Sequence, residues 1–328
     1  CKLAKLAFCN LFWYNSGILK SSGFKKRGIM VLKLRGAYKE YIWGGDKLIT
    51  EFGKSWHGST LAESWELSFH PDGVSVVDGG AYDGMPIDKV VTRNMWGANA
   101  RRFSAFPVLI KLIDSRQDLS VQVHPNDEFA LANEGQNGKT EMWHILSAET
   151  DARIYLGLKK TLTPSQFDER IANNTVLDCL NAVPVKAGQT YFIPSGTIHA
   201  IGAGVTLIEV QQNSSVTYRV YDYNRRDAQG NARPLHIDKA KQTANLNKYE
   251  VKDSAQGSLL GKCKYFSCYL YCGSRNITNV GSFGSVTVVD GSIQINGVSF
   301  LKGQTAFIPA GEQAQVTGSG KYTYSCVE

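Results

Sequence analysis

Residues 188–199 read GQTYFIPSGTIH and residues 303–314 read GQTAFIPAGEQA, with seven of the twelve positions identical. Each copy is a short run of strand-forming residues that ends in Pro-x-Gly, the composition of a strand entering a tight turn. The third residue after that glycine opens the next strand. It is His199 in the first copy and Ala314 in the second. Two such units far apart in one chain imply two β-domains of the same kind, of which only the first offers a metal-ligating side chain at this place.

The remaining sequence agrees with a β-rich chain. Segments such as GVSVVDGG, GVTLIEV and GSVTVVDGSIQINGVSFLKG alternate and are punctuated by glycine, and the 328 residues include 32 glycines. Helical signals are few. Thr163 and Pro164 form an N-cap and first-turn pair ahead of SQFDERIANNTVLDCL, and Pro86 opens a second candidate, PIDKVVTRNMW. The first copy of the repeat, G-x5-P-x-G-x2-H, resembles the second motif of the cupin superfamily. The expected fold is therefore mainly β: two cupin-type jelly rolls with a few helices inserted in the N-terminal part. Residues 30–245 are expected to form the catalytic domain and residues 246–328 a metal-free jelly roll. Its interior is expected to be filled by Phe300, Phe307 and Ile308.

The net charge of +7 raises the question of a nucleic-acid partner. Its distribution answers against one. Residues 1–29 carry six basic side chains and no acidic one, so the remaining 299 residues hold 30 basic and 29 acidic groups. The leading segment is expected to be an extension outside the fold, with Met30 opening the folded part. Its apolar run is too short to span a bilayer, and its KKR cluster follows that run, the reverse of a secretory signal. Neither nucleic acid nor membrane is an expected partner. Seven cysteines without paired spacing do not form a disulfide framework, and Cys268 and Cys272 lack the second pair of a zinc knuckle. The cytoplasm is the expected compartment.

Within the first domain, DLSVQVHPND at residues 118–127 is an unusual strand. Val121 and Val123 share one face, while Ser120, Gln122 and His124 share the other. Serine, glutamine and histidine in a row are the lining of a wet site. His124, Glu141 and His199 together give two imidazoles and one carboxylate, a suitable three-ligand set for a divalent metal with open positions. Gln122 faces the same way and offers a neutral oxygen. The other histidines, His57, His70, His144 and His236, read as structural. The ligand set alone fits zinc, or ferrous iron in an oxygenase, equally well.

A wider resemblance narrows the choice. AYKEYIWGGDKL, AESWELSFHPDG, LIKLID, DLSVQVHPND, GKTEMWHIL, SGTIHAIGAG and QQNSSVTYRVYDYNR, in this order, resemble the type I mannose-6-phosphate isomerases, especially their shorter bacterial form. The match runs from about Met30 to the C-terminus. Gln122 stands where a generic cupin has a histidine, and Glu141 follows His124 by seventeen residues; both belong to the isomerase variant. The resemblance implies an aldose–ketose isomerisation of mannose 6-phosphate and fructose 6-phosphate through an enediolate, with one zinc ion per chain. It implies charge stabilisation by Arg219, proton transfer through Lys139 and Glu209, and substrate contacts from Lys111, Ser120 and Gln122, with Lys111 and Ser120 near the phosphate. A cupin that binds a sugar phosphate without turnover is the non-enzymatic alternative. No Gly-rich phosphate loop is present, so nothing points to a kinase.

Overall fold

The computed structural model describes residues 30–226 and 230–328. The extension expected at residues 1–29 lies outside the described residues. Among them, the strands form antiparallel sheets of seven, six, five and four strands. Three apolar cores place these sheets in layers. One core joins the six- and five-stranded sheets through Ile113, Trp143, Ile145, Leu207, Ile154 and Leu156. A second joins the seven- and four-stranded sheets through Val286, Ala306, Ile308, Ile293, Phe300 and Ala314. These are the two jelly rolls. A third core packs the outer face of the six-stranded sheet (Ile110, Leu112, Ile208, Val210) onto the outer face of the seven-stranded one (Leu32, Leu34, Phe307).

This arrangement explains two sequence runs. Val108–Ser115 and Val205–Gln212 are buried at every position, because their sheet is covered on both faces. A strand buried on both sides has no solvent face, so the polar residues it contains need partners inside the protein. Lys111 and Glu209 are such residues. The layers are also laced together by the chain. The N-terminal strand Leu32–Arg35 pairs with Thr305–Ile308, so it completes a sheet otherwise built mostly from the C-terminal part.

Inside the second jelly roll, Phe300 and Ile308 fill the interior as expected, and Ala314 is buried among them. Phe307 does not. It points to the opposite face, into the core between the two jelly rolls. Adjacent residues of a strand cannot share a face, so Phe307 and Ile308 were bound to divide between the two cores.

The helix after Thr163 spans Pro164–Ala172 and begins with a full capping box, Thr163 and Gln166 each bonding the other's backbone. It is shorter than the periodic run suggested, because Asn174 takes a left-handed conformation with φ of 57°. The segment after Pro86 makes only a single turn, Ile87–Val90, followed by a short 3-10 turn at Arg93–Trp96. The five described cysteines Cys179, Cys263, Cys268, Cys272 and Cys326 are free thiols. No helix among the described residues is long and apolar enough to cross a membrane.

Candidate active site

Cross-strand register builds the site in two rows. Across the six-stranded sheet, Trp65 lies opposite Lys111, Lys111 opposite Glu209, and Glu209 opposite Trp143. Across the five-stranded sheet, His199 lies opposite Gln122 and Gln122 opposite Arg219. Both rows face the space between the sheets, which opens into a cleft of about 400 Å³. Pro125 ends the strand that carries Gln122, and its neighbourhood is a junction. Gly196 N donates to His124 O at 2.8 Å, and Lys139 N donates to Pro125 O at 3.0 Å. These bonds fasten the segments bearing His124, Glu141 and His199 to one another. Asn126 then caps the helix Asp127–Glu134 by accepting from Phe129 N.

His124, Glu141 and His199 meet beneath the cleft, behind its lining residues Lys139 and Gln122, all buried, with their ligand atoms within 4.8 Å of one another. His124 Nε2 is 3.6 Å from Glu141 Oε2, and His199 Nε2 is 3.4 Å from Oε1. The outer nitrogens are held by backbone: His124 Nδ1 lies 2.9 Å from Val216 O and His199 Nδ1 2.8 Å from Thr197 O. A carbonyl can only accept, so each Nδ1 carries the proton and each Nε2 presents a lone pair inward. Burial holds His124 well below its ordinary pKa and His199 down to about 4, so both rings are neutral, as metal ligands must be.

Glu141 is the discordant member. Both of its oxygens are buried without a hydrogen bond of good geometry, although Lys139 Nζ lies 2.7 Å from Oε2. Burial and the nearby Glu209 carboxylate push it up to about 7, against the pull of Lys139. A divalent cation between the three side chains would satisfy both oxygens and favour the ionised form. The donor set therefore fits a metal.

Above the floor runs a chain of alternating charges. Lys139 Nζ is 3.0 Å from His124 Nε2 and 3.7 Å from Glu209 Oε1. Lys111 Nζ lies 3.2 Å from Glu209 Oε1 and 3.6 Å from Glu63 Oε2. Two indoles fix the carboxylates: Trp143 Nε1 donates to Glu209 at 2.8 Å and Trp65 Nε1 to Glu63 at 2.6 Å. Burial alone would raise Glu209, but Lys139 and Lys111 win and hold it down to about 2. Burial alone would lower Lys111, but Glu63 and Glu209 win and hold it above its ordinary value.

All the side chains singled out in the sequence meet here. Lys111, Ser120, Gln122, Lys139, Glu209 and Arg219 line the cleft above His124, Glu141 and His199. Gln122 places its amide 3.3 Å from His199 Nε2, and either end of that amide can be turned to the centre. Arg219 Nη1 donates to Pro234 O at 3.2 Å, and its buried Nε has no partner among the described residues. Glu63, Trp65, Trp143 and Arg233 escaped the sequence reading. Glu63 and Trp65 stand two apart in ESWEL, the spacing that puts both on one face of a strand, and this signal was available. His236, read as structural, does line the cleft, and its Nδ1 accepts from Arg219 N.

Comparison with known proteins places this geometry. The family model for the catalytic domain of phosphomannose isomerase type I matches residues 31–152. The mannose-6-phosphate isomerase ManA of Bacillus subtilis is 35% identical over 85% of this chain and 93% of its own length. The chain belongs to the type I phosphomannose isomerases. The mannose-6-phosphate isomerase of Streptococcus mutans is 40% identical over 70% of this chain and 72% of the relative. A crystal structure of the Bacillus subtilis mannose 6-phosphate isomerase superposes with a TM-score of 0.81 at 31% identity, covering 90% of this chain and 99% of that one. A zinc-bound mannose 6-phosphate isomerase, 18% identical, shares the fold with a TM-score of 0.74 over 91% of this chain and 99% of that one. The phosphomannose isomerase family model reaches His124 and Glu141. His199, Glu209 and Arg219 lie beyond it.

Proposed function

We propose that this protein interconverts mannose 6-phosphate and fructose 6-phosphate, with one zinc ion held by His124, Glu141 and His199. The observation that carries the reading is the buried Glu141 carboxylate, held by the protein only through its ion pair with Lys139 and faced by two inward-turned imidazoles. Bound zinc would supply a redox-inert Lewis acid that draws charge from the sugar oxygens. Gln122 supports this end of the cleft with an amide oxygen for the ion or the substrate.

The isomerisation removes the hydrogen from C2 of the aldose as a proton, leaves an enediolate, and returns a proton to C1. Glu209 is the carboxylate over the floor that accepts the carbon-bound proton, and it stands ready because Lys111 and Lys139 keep it ionised. Lys139, between Glu209 and Glu141, moves protons to and from the substrate oxygens. Arg219 lines the same cleft with a half-buried, permanently charged group suited to the developing enediolate. Ser120 lines the wall, and Lys111 acts chiefly through Glu209.

A coupled assay that follows fructose 6-phosphate formed from mannose 6-phosphate tests the reading. Activity should vanish on chelation and return with zinc; full activity in metal-free protein would defeat it. Arg219→Ala should lower kcat by roughly 10²-fold or more while zinc content stays normal. A rise in KM alone would show that Arg219 binds substrate instead.

A further inference from the structure

The cationic side chains of the cleft differ in how far their charge is already matched. Lys111 is enclosed by Glu63 and Glu209, and Lys139 by Glu141 and Glu209. A phosphate dianion brought to either would meet those carboxylates as well. At Arg219 and Arg233, which also line the cleft, the balance reverses. Asp222, buried, is the one carboxylate that both Arg225 and Arg233 hold, and Arg219 stands close by. Among the described residues, Asp222 is the only carboxylate ion-paired with any of these three guanidinium groups, which leaves a surplus of positive charge around it.

Arg233 is the best placed of the three to use it. Its Nε donates to Asp222 Oδ2 at 2.7 Å and its Nη2 to Oδ1 at 2.6 Å, a two-point grip that fixes the plane of the guanidinium. Nη1 makes no hydrogen bond among the described residues, and Arg233 lines the cleft. The anchor is tied to the metal end of the site, since Arg225 bonds Asp222 and also donates to Asp118 O, just ahead of Ser120 and Gln122. Burial would raise the Asp222 carboxyl, but the bonds from Arg233 and Arg225 hold it below the usual range, so the anchor stays charged.

We propose that Arg233, oriented by Asp222, is the residue that reads the phosphate of the substrate, with the sugar's carbonyl end directed to the floor beneath Lys139. The inference rests on the sugar-phosphate reading above and adds to it a specificity-determining residue. A neutral sugar of the same shape gains nothing from Arg233, whereas a phosphate gains a charge-assisted contact from a group that is already immobilised.

The test uses the zinc-loaded full chain and inorganic phosphate as a competitive inhibitor alongside mannose 6-phosphate. Arg233→Ala should raise KM for mannose 6-phosphate and the inhibition constant of phosphate together, by about 10- to 100-fold, with kcat moving less. Arg233→Lys, which keeps the charge but cannot be gripped at two points, should recover part of that loss, and its melting temperature checks that the fold is kept. Shifts in both constants below about threefold, or a loss confined to kcat, would overturn the assignment. Wild-type protein that bound phosphate through Arg233 yet turned over no mannose 6-phosphate would leave this anion site standing and remove the isomerase reading.

Discussion

His199→Ala should yield a protein that holds no stoichiometric zinc and has lost isomerase activity by at least about 10³-fold, since metal ligation fails more completely than when an outer partner is lost. The reason lies in the geometry. Three side chains converge as candidate ligands, and His199 faces Glu141 Oε1 while its other nitrogen is committed to Thr197 O. Removing it leaves one imidazole and one carboxylate, too few to hold a catalytic ion against water. A melting experiment separates this from misfolding. Zinc bound to the folded state stabilises it, so the wild type should melt higher with zinc than after chelation. The His199→Ala protein should melt at one temperature in both conditions. Retained zinc with retained turnover would show that the ion sits elsewhere.

How much of this was legible in the sequence depends on how local each signal is. The strand bearing Ser120, Gln122 and His124 declared itself because alternation is a local property, and polar residues on a strand's inner face have few explanations. His199 was legible through the Pro-x-Gly turn that precedes it, and Ala314 showed by the same turn that the second jelly roll lacks a ligand there. Lys111 and Glu209 were visible only by resemblance, since a lone charge in LIKLID or LIEV says nothing about its partner. Their pairing is a matter of register between strands nearly a hundred residues apart, which no local pattern encodes. The same limit hid the Asp222–Arg233 anchor and misplaced Phe307, whose side was settled by which sheet covers which. The helix start at Thr163 is legible because capping is local chemistry; the length of that helix is not, because its end depends on Asn174 turning left-handed.

Glu209→Gln should lower kcat by roughly 10²- to 10⁴-fold, the range expected when a positioned general base is removed, while zinc content stays normal. The amide keeps the shape of the carboxylate and can still accept from Trp143 Nε1, so the side chain should stay in place. What it loses is the negative charge and the capacity to take a proton. The structure also bounds the cost to stability. Lys111 retains Glu63 and Lys139 retains Glu141, so neither lysine becomes an uncompensated buried charge. Destabilisation should therefore stay below the about 3–5 kcal/mol of a buried pair broken outright. Urea melts of the two proteins measure that difference directly, and steady-state kinetics measure the other. A variant that kept more than about a tenth of the wild-type kcat would be inconsistent with loss of a general base. Glu209 would then serve as the shared counter-ion that holds two lysines over the metal site, and the proton would have to be taken by a neighbour in the same charge chain, with Lys139 first in line by its position between the two carboxylates.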